Sequence, residues 1–165
     1  MKSGALAISA FLFAIIFVGS TSLSISASDV VSKRGVTLFE FESGGAYHIS
    51  GFGEWIVTLT SPTKFSIEKK LRDKTTSHGM VTLTEDEKTK LWGLIDSTDI
   101  VNLKPPHRDA SPDEVILTFR VDDNVGTHIR EVLVGDARER EAVVSLIKYI
   151  GILIEKYTGE KPVLL

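Results

Sequence analysis

The chain of 165 residues contains no cysteine, which excludes disulfide frameworks, thiolate metal sites and cysteine nucleophiles together. It also has no excess of basic charge: 19 Lys and Arg against 22 Asp and Glu leave a net charge of −3. That balance lacks the positive field that draws a protein to a phosphate backbone, so nucleic acid is not an expected partner. No H-E-x-x-H pair, G-x-S-x-G elbow, P-loop or strand-linked dinucleotide fingerprint occurs; Gly51-Phe52-Gly53 is only a fragment of the last. Enzyme readings therefore start without a motif, and no cofactor or metal is expected. What remains is the length of one ordinary domain, too rich in apolar residues for disorder and without a solenoid repeat.

The N-terminus reads as an address. Lys2 supplies one positive charge, Ala5 to Gly19 runs 15 residues without any charge, and small polar residues follow from Ser20 to Ser28. This is the order of a secretory signal, and a run of that length is short against the roughly 20 residues that cross a bilayer. The reading is a signal peptide over 1–27, cut after Ala27, with an uncleaved signal anchor as the alternative because Leu23 and Ile25 extend the apolar run. Localisation is then secreted or periplasmic, or membrane-tethered if the anchor persists. Residues 28–35 form a polar leader and 36–165 a single domain. Without disulfides, that exported domain must draw its stability from an apolar core.

Periodicity predicts strands, helix, strands, helix. Val36 to Glu42 favours a strand that ends at Ser43-Gly44-Gly45. Trp55, Val57 and Leu59 share one face of a second strand, and Phe65-Ser66-Ile67-Glu68-Lys69 alternates as a third beyond the Ser61-Pro62-Thr63-Lys64 turn. Thr84-Glu85-Asp86-Glu87 is a capping box, so a helix starts there with Leu91, Leu94 and Ile95 on one side. Pro105-Pro106 imposes an extended loop from Lys104 to Asp113. Glu114 to Val121 and Thr127 to Val134 pair across a turn at Asp122 to Gly126. The final helix is predicted to start at Asp136-Ala137-Arg138-Glu139, to carry an apolar stripe from Val143 to Tyr157, and to stop near Gly159. The fold class is α+β, an antiparallel sheet packed against two amphipathic helices.

The chemistry on offer is sparse. Of the four histidines, His107 sits with Arg108 and Asp109 in the proline loop, a solvated position, and His128 lies near Arg130 on a strand as a surface ladder residue. Asp122-Asp123 reads as a hairpin turn and not as a calcium loop, which needs alternating oxygens and a closing Glu. Lys64, Lys69, Lys70, Arg72 and Lys74 make a basic stretch, read as a solvated edge with anion binding as its functional alternative. Tyr47, Phe52 and Trp55 cluster around several glycines: rings beside flexible backbone suit a binding surface, while core packing is the competing reading for Trp55.

The order of elements and certain phrases resemble those of the emfourin-like proteins, small bacterial inhibitors of protealysin-type metalloproteases. The similar phrases are Phe41-Glu42-Ser43-Gly44-Gly45, where an early strand ends, and Leu94-Ile95-Asp96-Ser97-Thr98-Asp99-Ile100-Val101-Asn102-Leu103-Lys104-Pro105, where a first helix leads to proline. A later strand pair and a last amphipathic helix complete the likeness, over about residues 36 to 157. The signal segment and the longer Gly51 to Lys74 hairpin depart from that pattern. The resemblance implies inhibition by exclusion, the chain filling a protease cleft without being turned over. The expected partner-binding residues are Ser43, Gly44, Gly45, Tyr47, His48, Phe52 and Trp55, on a non-enzymatic exported module with a protein partner, in the sharpest case a secreted metalloprotease. The alternatives are an envelope accessory protein that docks into a larger complex and a hydrolase without a recognisable motif.

Overall fold

A computed structural model describes residues 32, 35–44, 53–111 and 114–165. The expected signal segment 1–27 lies outside the described residues, as does the leader 28–35 apart from Ser32 and Gly35. The alternation seen in the sequence becomes strands β1 (Leu38–Ser43), β2 (Glu54–Ser61) and β3 (Lys64–Leu71). A further strand, β4 (Lys74–Thr82), follows β3 through a tight turn that holds Arg72 at φ 54. Sequence periodicity did not predict β4. Its residues KTTSHGMVT carry almost no apolar alternation, because the strand lies at the sheet edge with most of both faces exposed.

Helix α1 (Glu85–Thr98) starts on the capping box: the Glu87 amide donates to Thr84 Oγ1 at 3.3 Å, and the Thr84 amide donates to Glu87 Oε2 at 2.9 Å. Asp99 takes a left-handed conformation (φ 52) at its end, and a short 3-10 turn, Ile100–Asn102, leads into the proline loop. Strands β5 (Ile116–Asp122) and β6 (Thr127–Leu133) then pair across a turn in which Asp123 Oδ1 accepts the amides of Val125 (2.7 Å) and Gly126 (3.0 Å). That is the hairpin role expected of the acidic pair.

The last helical region departs from expectation. A one-turn helix, α2 (Val134–Arg138), follows β6 directly, and Arg140 (φ −112, ψ 98) breaks the path before α3 (Glu141–Thr158). Asp136 is therefore not the N-cap of the long helix; it sits in the first turn of α2. The break lets the chain turn back from an edge strand while Ala137 is buried, a long-range demand with no local sequence signature. Gly159, at φ 76, ends α3 in the left-handed region that glycine adopts without a Cβ penalty.

All six strands join one antiparallel sheet in the order β4-β3-β2-β1-β5-β6, so the fold is α+β with three helices. Phe39 and Phe41, Trp55, Val57 and Leu59, Phe65 and Ile67, and Leu117, Phe119 and Val121 point to one face and are fully or almost fully buried. Leu91, Trp92 and Ile95 of α1 and Val143, Leu146, Ile147, Ile150, Leu153 and Ile154 of α3 meet them in a single core. Phe41 and Phe119, cross-strand neighbours, hold their rings 5.4 Å apart. The opposite face alternates with the first: Glu40, Glu42, Glu54, Ile56, Thr58, Ser66, Glu68, Thr118 and Arg120 are half-buried. Among the described residues no helix is long and apolar enough to cross a membrane.

Candidate interaction surface

The expected partner-binding segment leaves β1 and returns into β2. Its two ends are described; Gly45, Tyr47, His48 and Phe52 lie outside the described residues. Ser43, the last residue of β1, is buried, and its hydroxyl accepts the Trp55 backbone amide at 2.9 Å. Gly44 lies against β5: a Cβ built there would come within 2.5 Å of the Ile116 carbonyl oxygen, so no larger residue fits without moving backbone. Gly44→Ala is accordingly expected to cost about 1–3 kcal/mol from overpacking, to be read as a fall in the thermal midpoint.

Trp55 is 2% exposed. The core-packing alternative is thus where the structure places this ring, and the contact it makes is internal. The His78 imidazole stacks on it, with centroids 5.8 Å apart and planes inclined by 26°, and the Lys69 ammonium stands 5.0 Å from its centroid. Glu160, just past α3, pairs with Lys69, and its Oε1 is 3.9 Å from His78 Nε2. Lys69 holds the Glu160 carboxyl below its ordinary range. The four side chains tie the β2, β3 and β4 ends to the chain beyond α3. His78 Nε2 itself is buried without a hydrogen-bond partner among the described residues.

Sequence reasoning did not find His78 or Glu160. A β-bulge between Ser66 and Glu68 shifts the β3–β4 register, with Gly79 at φ +82, and this re-aims His78 toward the core side of a strand whose other residues, apart from the half-buried Val81, are exposed. No two-residue period survives such a bulge. The basic stretch is likewise largely absorbed: Lys64 donates to Thr82 Oγ1 at 3.0 Å, Lys69 serves the cluster just described, and Lys70 lies 3.6 Å from Glu54. Arg72 and Lys74 are exposed at the β3–β4 turn.

On the uncovered face beside this end, Glu40, Glu42 and Glu54 stand close together. Burial, then the charges of Glu54 and Glu40, push the Glu42 carboxyl up, against the opposing pull of Lys70. His107 is exposed, as expected for a loop residue. His128 is half-buried on the core side of β6, and its Nε2 is 3.4 Å from Asp123 Oδ1, so it belongs to the hairpin end and not to an exposed ladder. Arg108 makes a bidentate bridge to Glu114, both bonds 2.6 Å, which holds the Glu114 carboxyl down at about 2. His128 and Arg108 are thus paired in ways that fix the hairpin and the proline loop, and none of the described histidines makes a hydrogen bond to a serine or threonine hydroxyl among the described residues.

Compared with known protein families and with curated proteins, the chain matches no family model and no curated sequence.

Proposed function

We propose that the chain is an exported, non-enzymatic interaction module, and that its sharpest activity is inhibition of a secreted metalloprotease by occupation of the cleft. One observation carries this reading. The segment that bears Tyr47, His48 and Phe52 is mounted between two fixed points, Ser43 and Trp55, which are buried, hydrogen-bonded to each other and set in the middle of a six-stranded sheet. Binding residues carried between rigid strands are the usual way for a scaffold to present a contact surface, since the strands meet the ordering cost in advance. The order of elements also matches the one that the emfourin-like resemblance implies: an early strand ending at Ser43-Gly44, a helix leading to proline, a strand pair and a last amphipathic helix. Export follows from residues 1–27 read as a cleaved signal peptide, which places the module in the secreted or periplasmic space with such proteases.

A second reading, an envelope accessory protein docking through a sheet edge, is favoured by the two terminal strands β4 and β6, each of which leaves one side unpaired within the sheet.

Affinity capture with the tagged protein from the secreted and envelope fraction of its host, read by mass spectrometry and followed by a protease assay, separates the two. Recovery of a metalloprotease that loses activity in proportion to added protein supports inhibition. Recovery of envelope components without a protease sinks it in favour of the accessory role. Changing Tyr47 and Phe52 together to Ala is expected to abolish capture and to leave the unfolding midpoint nearly unchanged; a large loss of stability would show those rings to be core instead.

A further inference from the structure

Strand β6 closes one end of the sheet, and its hydrogen-bond parity is fixed by three contacts. The Thr37 amide donates to the Asp122 carbonyl at 2.8 Å, so the Asp122 backbone faces the β1 side. On the other side the Asp123 amide donates to Gly126 and the Val134 amide to Val115, each at 3.0 Å. With the register Val121↔His128, Phe119↔Arg130 and Leu117↔Val132, this pairs the backbone of His128, Arg130 and Val132 with β5. The backbone groups of Thr127, Ile129 and Glu131 therefore point away from the sheet.

Along that edge runs a groove of about 480 Å³ lined by Leu103, Pro105, Pro106, Ile129, Arg130 and Glu131. Three consecutive residues of one strand line a common groove only where it follows the strand edge, since successive side chains leave on opposite faces. The far wall is the proline segment, and no backbone hydrogen bond joins residues 103–106 to β6. Pro105 and Pro106 have no N–H to offer one. Ile129, at 55% exposure, is a large apolar side chain turned to water beside this wall. Glu131 next to it is exposed and makes no ion pair among the described residues. Arg130 leaves β6 on the core side, but its guanidinium turns to the edge, where Nε and Nη2 donate to the Val101 carbonyl at 3.1 and 2.7 Å and Nη1 donates to the Ile129 carbonyl at 2.8 Å. That bond occupies one lone pair of one edge carbonyl; the Ile129 and Glu131 amides and the Glu131 carbonyl stay unpaired within the sheet.

We infer that the β6 edge and its groove take an extended segment of a partner protein as a seventh, antiparallel strand, with an apolar side chain beside Ile129 against Leu103 and the prolines and a basic side chain beside Glu131. The basic preference follows from the unpaired Glu131 carboxylate, and strand addition follows from the direction of the unpaired amides. This inference rests on the reading of the chain as an interaction module and adds the chemistry of what it holds.

The test uses the whole protein, labelled with ¹⁵N, and an end-capped seven-residue peptide of threonines with lysine second and valine fourth. In antiparallel addition that order sets lysine opposite Glu131 and valine opposite Ile129. Peptide at millimolar concentration is expected to slow exchange of the Ile129 and Glu131 amides by about tenfold or more, while the amides of His128, Arg130 and Val132 do not change. Glutamate in place of the lysine is expected to weaken binding by about fivefold, and Glu131→Lys to reverse that order. Ile129→Pro removes an outward amide without touching the β5–β6 ladder, so it is expected to end binding with the thermal midpoint little changed. Should that variant fail to fold, Glu131→Lys alone decides the matter.

An unchanged exchange pattern at saturating peptide overturns the inference, as does binding that survives Ile129→Pro in folded protein. Protection of Ile129 and Glu131 in the free protein overturns it too: at all dilutions it means that the chain covers its own edge, and with concentration that a second copy does. Failure of the peptide beside successful capture of a partner in the assay above removes the edge inference and leaves the module reading standing. Failure of capture beside specific peptide binding leaves the edge inference standing and removes only the secreted metalloprotease as its partner.

Discussion

Truncating Trp55 to alanine is expected to lower stability by about 3–5 kcal/mol, the range for deleting a large buried ring. In a chain of this size that corresponds to a fall in the melting midpoint on the order of 10–20 °C. The ring is 2% exposed, shares its face with Val57 and Leu59, and carries His78 stacked against it and Lys69 beside it. Its loss would leave a cavity bordered by a histidine whose Nε2 already lacks a hydrogen-bond partner among the described residues. Chemical denaturation of Trp55→Ala and Trp55→Phe checks this, the second variant being expected to recover part of the loss because it refills part of the volume. A Trp55→Ala protein that melts within about 2 °C of the parent while losing partner capture would reverse the reading, since a change that small corresponds to less than about 1 kcal/mol. The ring would then be a contact residue instead of a core residue.

The second large effect belongs to Glu87 and shows itself as a dependence on pH. This carboxylate begins as half of a local capping box, yet its Oε1 also accepts from Lys156 Nζ at 2.6 Å and its Oε2 from the Tyr157 hydroxyl at 2.7 Å. It thereby ties the first turn of α1 to the last turn of α3. Burial alone would raise its pKa; the bonds from Lys156, the Thr84 amide, Tyr157 and the Thr84 hydroxyl outweigh that and hold it at about 2, against an ordinary 4.5. A carboxyl whose folded pKa lies below its unfolded value adds stability that is fully present above the unfolded value and is lost as pH falls through the folded one. The window is thus from about 4.5 down to about 2. The Glu87 side chain is 12% exposed but Lys156 is 50% exposed, so solvent screening reduces the contribution, to about 1–2 kcal/mol.

Glu87→Gln is therefore expected to cost about 1–2 kcal/mol at pH 7 and progressively less against the parent as pH falls toward 2. Urea denaturation of both proteins between pH 7 and pH 2 measures the difference directly. Glu114 is also held at about 2 by Arg108 and adds to the acid sensitivity of both proteins, so only their difference isolates Glu87. A gap that stays constant over that range would mean that Glu87 is not charge-paired in solution.

The Glu87 network divides what was legible from what was not. Thr84 and Glu87 are three residues apart, and their mutual bonds can be read from local spacing. Lys156 and Tyr157 lie about 70 positions away along the chain, and their meeting with Glu87 follows from α1 packing against α3. The candidate surface divides in the same way. A turn at Ser43-Gly44 and a β2 face holding Trp55 were visible as a glycine pair and an alternation. That Ser43 accepts the Trp55 amide, and that Gly44 leaves no room beside Ile116, depends on strands separated in sequence becoming neighbours.

By itself the sequence determined the α+β class, most of the strand positions, the start of α1 and the end of α3 at Gly159. These are set by two-residue alternation, by a capping box and by the left-handed freedom of glycine, all of which act within one turn or one strand. Tertiary structure alone decided that the polar segment 74–82 is a strand, that Arg140 splits the last helical region, that a bulge turns His78 onto Trp55, and that the Ile129 and Glu131 amides face a groove. Each of these depends on strand order and register, which arise from pairings between distant segments and leave no periodic trace in the segment itself.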